Sequence, residues 1–399
     1  MSPERFGSRT SGAFAFGLHR DFPDTSTRSD KNVTAFADYI GMPRNEIDTP
    51  ALLVDLDALE HNIEKLATHF REAGKQLRPH TKSHKTPAIA HKQLAAGAIG
   101  ITCAKLGEAE VMADAGIRDI LIANEVVGAR KIHRLVELAK RCDIMIAIDH
   151  PTNLADISAA TTAAGVSPRA IVEVNIGHNR CGLTPGSAVV ELARQIIAAP
   201  DLRFSGIMGY EGHIIDIEDS QTRNTGATEC LERLVGARAD LEAAGIEVEI
   251  CSSSGTGDYY IATRFDGITE VQAGSYALMD VAYAKLGLGF EHALTALTMI
   301  SSRPSPEQVI TDAGLKCITP EHGMPLVKGR DDLECHALSE EHGRLRTISG
   351  PCTDLEVGDL LEFIPGHGCT TMNLHDQIYA LRDGRVEAIW DIAGRGKVK

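Results

Sequence analysis

The sequence has no CxxC pair: its nine cysteines stand singly along the chain, a pattern that fits thiols kept reduced in a cytosol-like compartment. No charged-then-apolar leader opens it, so a cytoplasmic location is expected. No apolar run reaches the roughly 18 residues that a membrane span needs. Positive charge is also short, with 40 Lys and Arg against 55 Asp and Glu, a net charge of -15 and a pI near 5.5. That balance leaves no basic stripe to neutralise phosphates, which argues against a nucleic-acid or anionic-membrane surface. A small molecule is the expected partner.

What is present is enough apolar residue, 43% of 399 positions, to bury two cores, so two domains are expected. Residues 1 to 46 mix Ser, Thr, Gly, Arg and Asp without apolar period and read as a surface extension. An organelle transit peptide is the other reading of their arginines, but Glu4, Asp21 and Asp24 sit among them and such peptides avoid acids. From Thr49 onward, nine short apolar runs alternate with helical patterns: ALLVDL, QLRPHT, GITCA, DILIAN, DIMIAID, AIVEVNI, FSGIMGY, VEICSS and ITEVQ. In LEHNIEKLATHF, Leu59, Ile63, Leu66 and Phe70 share one helical face, and Asp57 with Glu60 resembles a capping box. Strands separated by helices require right-handed parallel crossovers, and eight such units close most economically as a (β/α)8 barrel over residues 47–290. A doubly wound open sheet is the alternative. Nine runs exceed eight strands, so the first, ALLVDL, is a candidate to pair elsewhere. From about Ala293 the runs become turn-punctuated strands, and Asp383-Gly384 between two alternating runs predicts a hairpin. Residues 291–399 therefore read as a mainly β domain.

Four segments could carry chemistry. RPHTKSHK follows a strand and places Lys82 near the carboxyl end of an early barrel strand, where barrel active sites lie. A partly desolvated lysine there has its amine free for Schiff-base chemistry, whereas the bland reading is a solvated basic loop. SSSGTGDYY follows the strand VEIC and opens a helical pattern, so N–H groups near Gly255, Thr256 and Gly257 could cradle a phosphate, unless it is only a turn. VQAGSY could add Gly274 and Ser275, or be an ordinary strand end. In PGHGCTTMNLHD, His367 and Cys369 are two apart and can face one side of an extended segment. Imidazole plus thiolate suits a transition metal, and a structural His beside a buried Cys is the plainer reading.

Taken in order, RPHTKSHK, VNIGHNRCG, GYEGH, SSSGTG, VQAGSY, DAGLK and PGHGCTTMNLHD resemble the family of D-threonine aldolases, 3-hydroxy-D-aspartate aldolases and metal-dependent D-serine dehydratases. These are alanine-racemase-like, fold-type III pyridoxal 5'-phosphate (PLP) enzymes. The likeness runs from about Thr49 to Lys397, and NEV at Asn124–Val126, GRDD at Gly329–Asp332 and the ending AGRGK incline it to the 3-hydroxy-D-aspartate aldolases. The resemblance implies that Lys82 carries PLP as a Schiff base, with Lys85 only its neighbour. It implies that Arg180 approaches the phenolic oxygen and Tyr210 lies beside the ring. Ser254, Gly255, Thr256, Gly274 and Ser275 match the phosphate side. Gln272 stands where alanine racemases have an arginine facing the pyridine nitrogen. His367 and Cys369 match the metal pair for a divalent cation (Mn²⁺, Mg²⁺ or Zn²⁺); cysteine at the second position is the dehydratase pattern.

The implied activity is a lyase that cleaves the Cα–Cβ bond of D-3-hydroxy amino acids, D-threonine or 3-hydroxy-D-aspartate, to glycine plus an aldehyde or glyoxylate. His213 and His84 are candidate bases for the 3-hydroxyl proton. The alternative is dehydration of D-serine or 3-hydroxy-D-aspartate at the same site, with Lys82 taking the Cα proton. A metal-free racemase or decarboxylase, a PLP carrier and a PLP-free metal hydrolase are further readings. A homodimer is expected from the resemblance.

Overall fold

The computed structural model describes residues 37–215 and 217–399; positions 1 to 36 of the expected extension, with the transit reading attached to them, lie outside the described residues. Residues 37–39 form one 3-10 turn. Ile40–Lys399 form a separate compact unit.

The first apolar run becomes strand β1 (Ala51–Asp55), buried in four of its five positions. It does not enter the barrel. It pairs antiparallel with β10 (Leu294–Ser305) and parallel with β16 (Gln377–Arg382), both from the C-terminal part of the chain. Asp55 ends β1 with an extended backbone, and its Oδ1 accepts from Asp57 N–H at 3.0 Å and Ala58 N–H at 3.1 Å. Asp55 is therefore the N-cap of helix α1 (Leu56–Ala73), two positions before the predicted capping box. Glu60, freed from that role, pairs instead with Lys92 and Arg382.

Eight parallel strands follow: β2 (Gln76–Leu77), β3 (Ile101–Cys103), β4 (Asp119–Glu125), β5 (Asp143–Ile148), β6 (Arg169–Glu173), β7 (Arg203–Met208), β8 (Ile250–Ser253) and β9 (Glu270–Val271). From β3 to β9 each pairs with its sequence neighbour, and β9 returns to β2. The remaining seam, between β2 and β3, is closed just past β2 by a parallel bridge of His80 with Thr102, whose N–H donates to Pro79 O at 2.9 Å. The closed ring removes the open-sheet alternative. Period-two alternation sorts the side chains. Leu121, Met145, Ala147, Ile171, Met208 and Ile250 form a small cluster made of strand residues alone, the barrel interior. Their neighbours Ile120, Ile122, Ile144, Ile146, Val172 and Ile207 point outward into the main core under the helices. Each fully buried aliphatic side chain contributes about 1.5–3 kcal/mol of burial free energy.

The rest is antiparallel. Strands β11 (Gln308–Thr311), β13 (Leu333–Leu338) and β14 (Gly343–Thr347) extend the sheet beyond β10. On its other side, β16 forms the predicted hairpin with β17 (Arg385–Asp391), with Asp383 and Gly384 at φ 50° and 71°. Both turn residues are left-handed, as the primed two-residue turn requires. Strand β15 (Leu360–Ile364) pairs with β10 and with β12 (Leu326–Val327). It runs out at Pro365 toward the barrel mouth. No helix of the described residues is long and apolar enough to cross a membrane.

Charges divide the barrel's two ends. Arg78, only 1% exposed, donates from Nε to both oxygens of Glu270 at 3.1 Å and from its terminal nitrogen to Asp119 at 2.5 Å. Glu270 and Asp119 open β9 and β4, so this ion pair braces the amino ends of the strands, away from Lys82. Arg78→Met would leave the Glu270 carboxylate buried and unpaired. The unfolding free energy from urea titration is expected to fall by about 3–5 kcal/mol; a loss below 1 kcal/mol, about the worth of a surface pair, would show the pair to be only incidental.

Candidate active site

Lys82 sits at the carboxyl end of the barrel in a short 3-10 turn, Thr81–Ser83, immediately after the closing seam. Thr81 Oγ1 ties the turn back to Thr102 O at 3.0 Å, and Lys85, at φ 55°, ends it. Lys85 then points away into a buried ion pair with Glu108. Lys82 faces two connected chambers.

The first chamber, about 220 Å³, is lined by Lys82, Arg180, Tyr210, Ser254, Gly255, Thr256, Gln272, Gly274 and Ser275. All nine residues that the family resemblance assigns to the cofactor therefore meet in one cavity. Tyr210 is the shared wall: the Lys82 amine lies 5.4 Å and the Arg180 guanidinium 5.9 Å from its ring centre. Gln272 donates from Nε2 to Ser252 Oγ at 2.8 Å. A Cβ on Gly274 would lie 2.6 Å from His80 O, so this cradle wall admits only glycine. The segment after β8 departs from expectation. It is a turn, and the helical piece Tyr259–Ala262 is only four residues long. Asp258 closes that turn by accepting the Gly255 N–H at 2.9 Å. Ser254 Oγ donates to Glu211 Oε1, whereas Thr256 Oγ1 accepts from Tyr276 N–H at 3.0 Å and keeps its own O–H for the cavity.

The second chamber, about 190 Å³, shares Lys82, Tyr210, Ser275 and Tyr283 with the first and adds His178, His322, His367 and Cys369. Past β15 the backbone of Pro365 and Gly366 accepts from Val281 N–H at 3.0 Å and Ala282 N–H at 3.2 Å, which draws His367 against the barrel. Buried Asp280 then fixes the imidazole. Its Oδ2 accepts from His367 Nδ1 and from Gly368 N–H, each at 2.9 Å, while its Oδ1 accepts from Tyr283 N–H at 2.9 Å. With Nδ1 engaged, His367 offers Nε2 to the chamber, the arrangement common in metal-bound histidines. Burial pulls the imidazole pKa down, but hydrogen bonds to Asp280 and Cys369 push it up to about 11, so any cation bound there would have to displace a proton.

Burial also sets the charge of the other groups. It lowers the Lys82 pKa, with Cys369 opposing and Arg180 assisting, which favours the neutral nucleophilic amine. The side chain touches cavity solvent, yet protein packs closely around its stem. Tyr210 is raised by burial and by Asp258 and Glu211, so its phenol stays protonated. His178 is lowered by burial, Arg180, His213 and Lys82, and is neutral at pH 7.

The candidate bases are placed differently. His213 stacks on His178 at 5.8 Å between ring centres and has its Nε2 3.9 Å from Cys230 Sγ, one ring removed from the chamber wall. His84 is fully buried: its Nδ1 accepts from Thr86 N–H at 3.1 Å and its Nε2 lies 3.3 Å from Gln93 Oε1. It lines neither chamber. Sequence reading missed Asp280, Tyr283, His178 and His322. It also missed Glu125 and Glu173, at the ends of β4 and β6. Their acid groups lie with Cys181 within 4.8 Å of one another at the edge of the first chamber. Strand-end position was the available signal for the two acids; the others had no spacing signature.

Burial, followed by the charge and hydrogen bond of Glu125, pushes Glu173 up to about 8. The folded chain therefore keeps a proton that the unfolded chain releases, and the stability linked to it is present at low pH and lost as pH rises through about 8. Glu173→Gln removes that linkage. Between about pH 5 and about pH 8 the wild type should lose unfolding free energy relative to the variant; parallel pH curves in urea titrations would contradict the proton retained on Glu173.

The chain matches the alanine racemase N-terminal domain family over residues 54–281 and a serine dehydratase domain over residues 293–381. It is 38% identical over 371 residues to the 3-hydroxy-D-aspartate aldolase of Paracoccus denitrificans, covering 90% of this chain and 94% of that one. It is likewise 38% identical over 363 residues to the D-threonine aldolase of an Arthrobacter species, covering 89% and 95%. The crystal structure of D-threonine aldolase from Filomicrobium marinum superposes with a TM-score of 0.88 at 38% identity, over 90% of this chain and 99% of that one. The racemase-like barrel, the antiparallel sheet that supplies His367 and these full-length likenesses lead to one conclusion: the chain belongs to the alanine-racemase-like family of D-threonine and 3-hydroxy-D-aspartate aldolases.

Proposed function

We propose that this protein is a PLP- and divalent-metal-dependent lyase that splits D-3-hydroxy amino acids between Cα and Cβ. D-Threonine or 3-hydroxy-D-aspartate would give glycine plus acetaldehyde or glyoxylate. The observation that carries this reading is the position of one neutral-leaning amine, Lys82, between two chambers of different chemistry. The first fits PLP: it offers an amine for covalent attachment, an aromatic face at Tyr210, and a hydroxyl- and glycine-lined end for the phosphate. PLP bound there would supply a sink for the electron pair left at Cα when a bond breaks. The second fits a cation: His367 and Cys369 would hold it, and it would supply Lewis-acid polarisation of the substrate's 3-hydroxyl.

The chain's own groups do the remainder. Tyr210 and Tyr283 form the wall between the chambers and fix the approach of a small polar substrate to Lys82. His178, neutral and at the second chamber, can accept the 3-hydroxyl proton, and His213 stacked behind it can pass that proton toward solvent. His84 has both ring nitrogens in use, so His178 with His213 is the better-placed base. Arg180 would face the phenolic oxygen and Gln272 the ring nitrogen, where a neutral amide can hydrogen-bond without protonating the ring.

Dehydration remains the second reading because the metal pair ends in Cys369, and the chain is also 28% identical to the D-threo-3-hydroxyaspartate dehydratase of Delftia sp.. In that outcome Lys82 would take the Cα proton. The products separate the two. Incubation with D-threonine, 3-hydroxy-D-aspartate and D-serine in parallel is expected to yield glycine with acetaldehyde or glyoxylate from the first two, and little turnover of the third. Ammonia and an oxo acid without glycine would sink the aldolase reading.

A further inference from the structure

The segment Cys317–Gly323 of the β domain wraps around the metal pair from both sides. Before His367, a Cβ on Gly366 would lie 1.9 Å from Gly323 O and 3.3 Å from Glu321 O, so glycine at 366 lets the two backbones touch. After Cys369, Thr319 Oγ1 lies 2.6 Å from Thr370 Oγ1, and Thr319 N–H donates to Thr371 Oγ1 at 3.5 Å. Further along, His375 Nε2 donates to Cys317 O at 2.8 Å. Between these ties is a tight turn in which Gly323 N–H donates to Pro320 O at 3.1 Å and His322 takes φ 60°. Left-handed backbone is uncommon outside glycine, although histidine is among the residues that tolerate it, and such conformations persist where the surroundings enforce them.

The result is a third imidazole at the second chamber. The His322 ring centre is 4.9 Å from that of His367, at an interplanar angle of 61°. One ligand atom each from Glu321, His322 and His367 lies within 4.8 Å of the others. His322 lines the same chamber as His367, Cys369 and Lys82. An exposed pair of Glu321 with His322, 3.9 Å apart, would explain their proximity to each other. It would not explain why the turn is fastened on both flanks of His367 and directs its histidine into the chamber.

We propose that His322 is a third protein ligand of the cation held by His367 and Cys369. The inference rests on the reading of those two residues as a metal pair. Two imidazoles and one thiolate form a donor set that suits borderline-soft cations such as Zn²⁺ or Co²⁺ over Mg²⁺, which prefers oxygen. Three protein donors still leave coordination positions for water and a substrate hydroxyl.

Metal binding itself supplies the test. PLP-loaded protein stripped with a chelator is titrated with Zn²⁺ and with Mg²⁺ against a chromophoric competitor, and the Zn²⁺ form is measured by X-ray absorption. The wild type is expected to prefer Zn²⁺ and to show two imidazoles and one sulfur. His322→Ala, on an exposed turn, should keep its circular dichroism and cofactor absorbance, weaken Zn²⁺ by at least about tenfold, and lose one imidazole from the spectrum; even second-sphere changes commonly cost 10–100-fold. His322→Gln, which keeps a side chain of similar reach, should fall with it. Unchanged Zn²⁺ affinity in both variants and a single imidazole in the wild type, with binding lost in His367→Ala, would overturn the third ligand and leave the pair standing. Wild-type Zn²⁺ affinity in His367→Ala would overturn the pair and the inference together.

Discussion

One buried carboxylate joins the two halves of this site. Asp280 follows the last barrel strand, and its two oxygens accept three hydrogen bonds, from His367 Nδ1, Gly368 N–H and Tyr283 N–H. Lys82 belongs to the barrel and His367 to the antiparallel sheet, so neither sheet alone brings them together. Backbone bonds from Val281 and Ala282 to Pro365 and Gly366 set the approach, and Asp280 fixes the angle of the imidazole. A hydrogen bond to a charged group is stronger than a neutral one and loses little to water in a buried setting. The second chamber therefore depends on a residue that stands behind its wall and does not line it.

In a chain with a net charge of -15, a phosphate placed in the first chamber, as the proposed function requires, would meet acids unless they are kept neutral. The structure does this by burial. Glu173 keeps its proton beside Glu125 at one edge of the first chamber, and Asp258 is held well above the ordinary carboxylate range by burial and by Glu211 just behind the Ser254–Thr256 turn. Two carboxyls close together in a dry environment cannot both ionise. The same low-dielectric surroundings favour the neutral Lys82 amine, so one physical cause acts on the acids and on the amine alike.

Much of the fold was legible because alternation of strand and helix patterns is a property of the sequence itself. Counting nine runs for eight places pointed to Ala51–Asp55 as the misfit, and that run pairs with β10 and β16. The hairpin at Asp383-Gly384 was legible from the turn chemistry alone. Lys82 and the phosphate-side residues lie in segments long enough to be recognised, and they do converge on one cavity. The placement of histidines was not legible. His84, two residues from Lys82, turns into the core because Gln93 and Thr86 satisfy both of its nitrogens, whereas His178 and His322, far apart in the chain, meet at the second chamber. Asp280 gave no sign either, since its function comes from a tertiary hydrogen bond across 87 positions.

The central claim is that the Lys82 amine, and no other, holds the cofactor. Borohydride reduction of the PLP-loaded protein followed by peptide mass spectrometry tests it most directly. A phosphopyridoxyl adduct on the peptide containing Lys82 is predicted, with Lys85, occupied by Glu108, unmodified. An adduct on Lys85 or elsewhere, or none at all, would contradict the account.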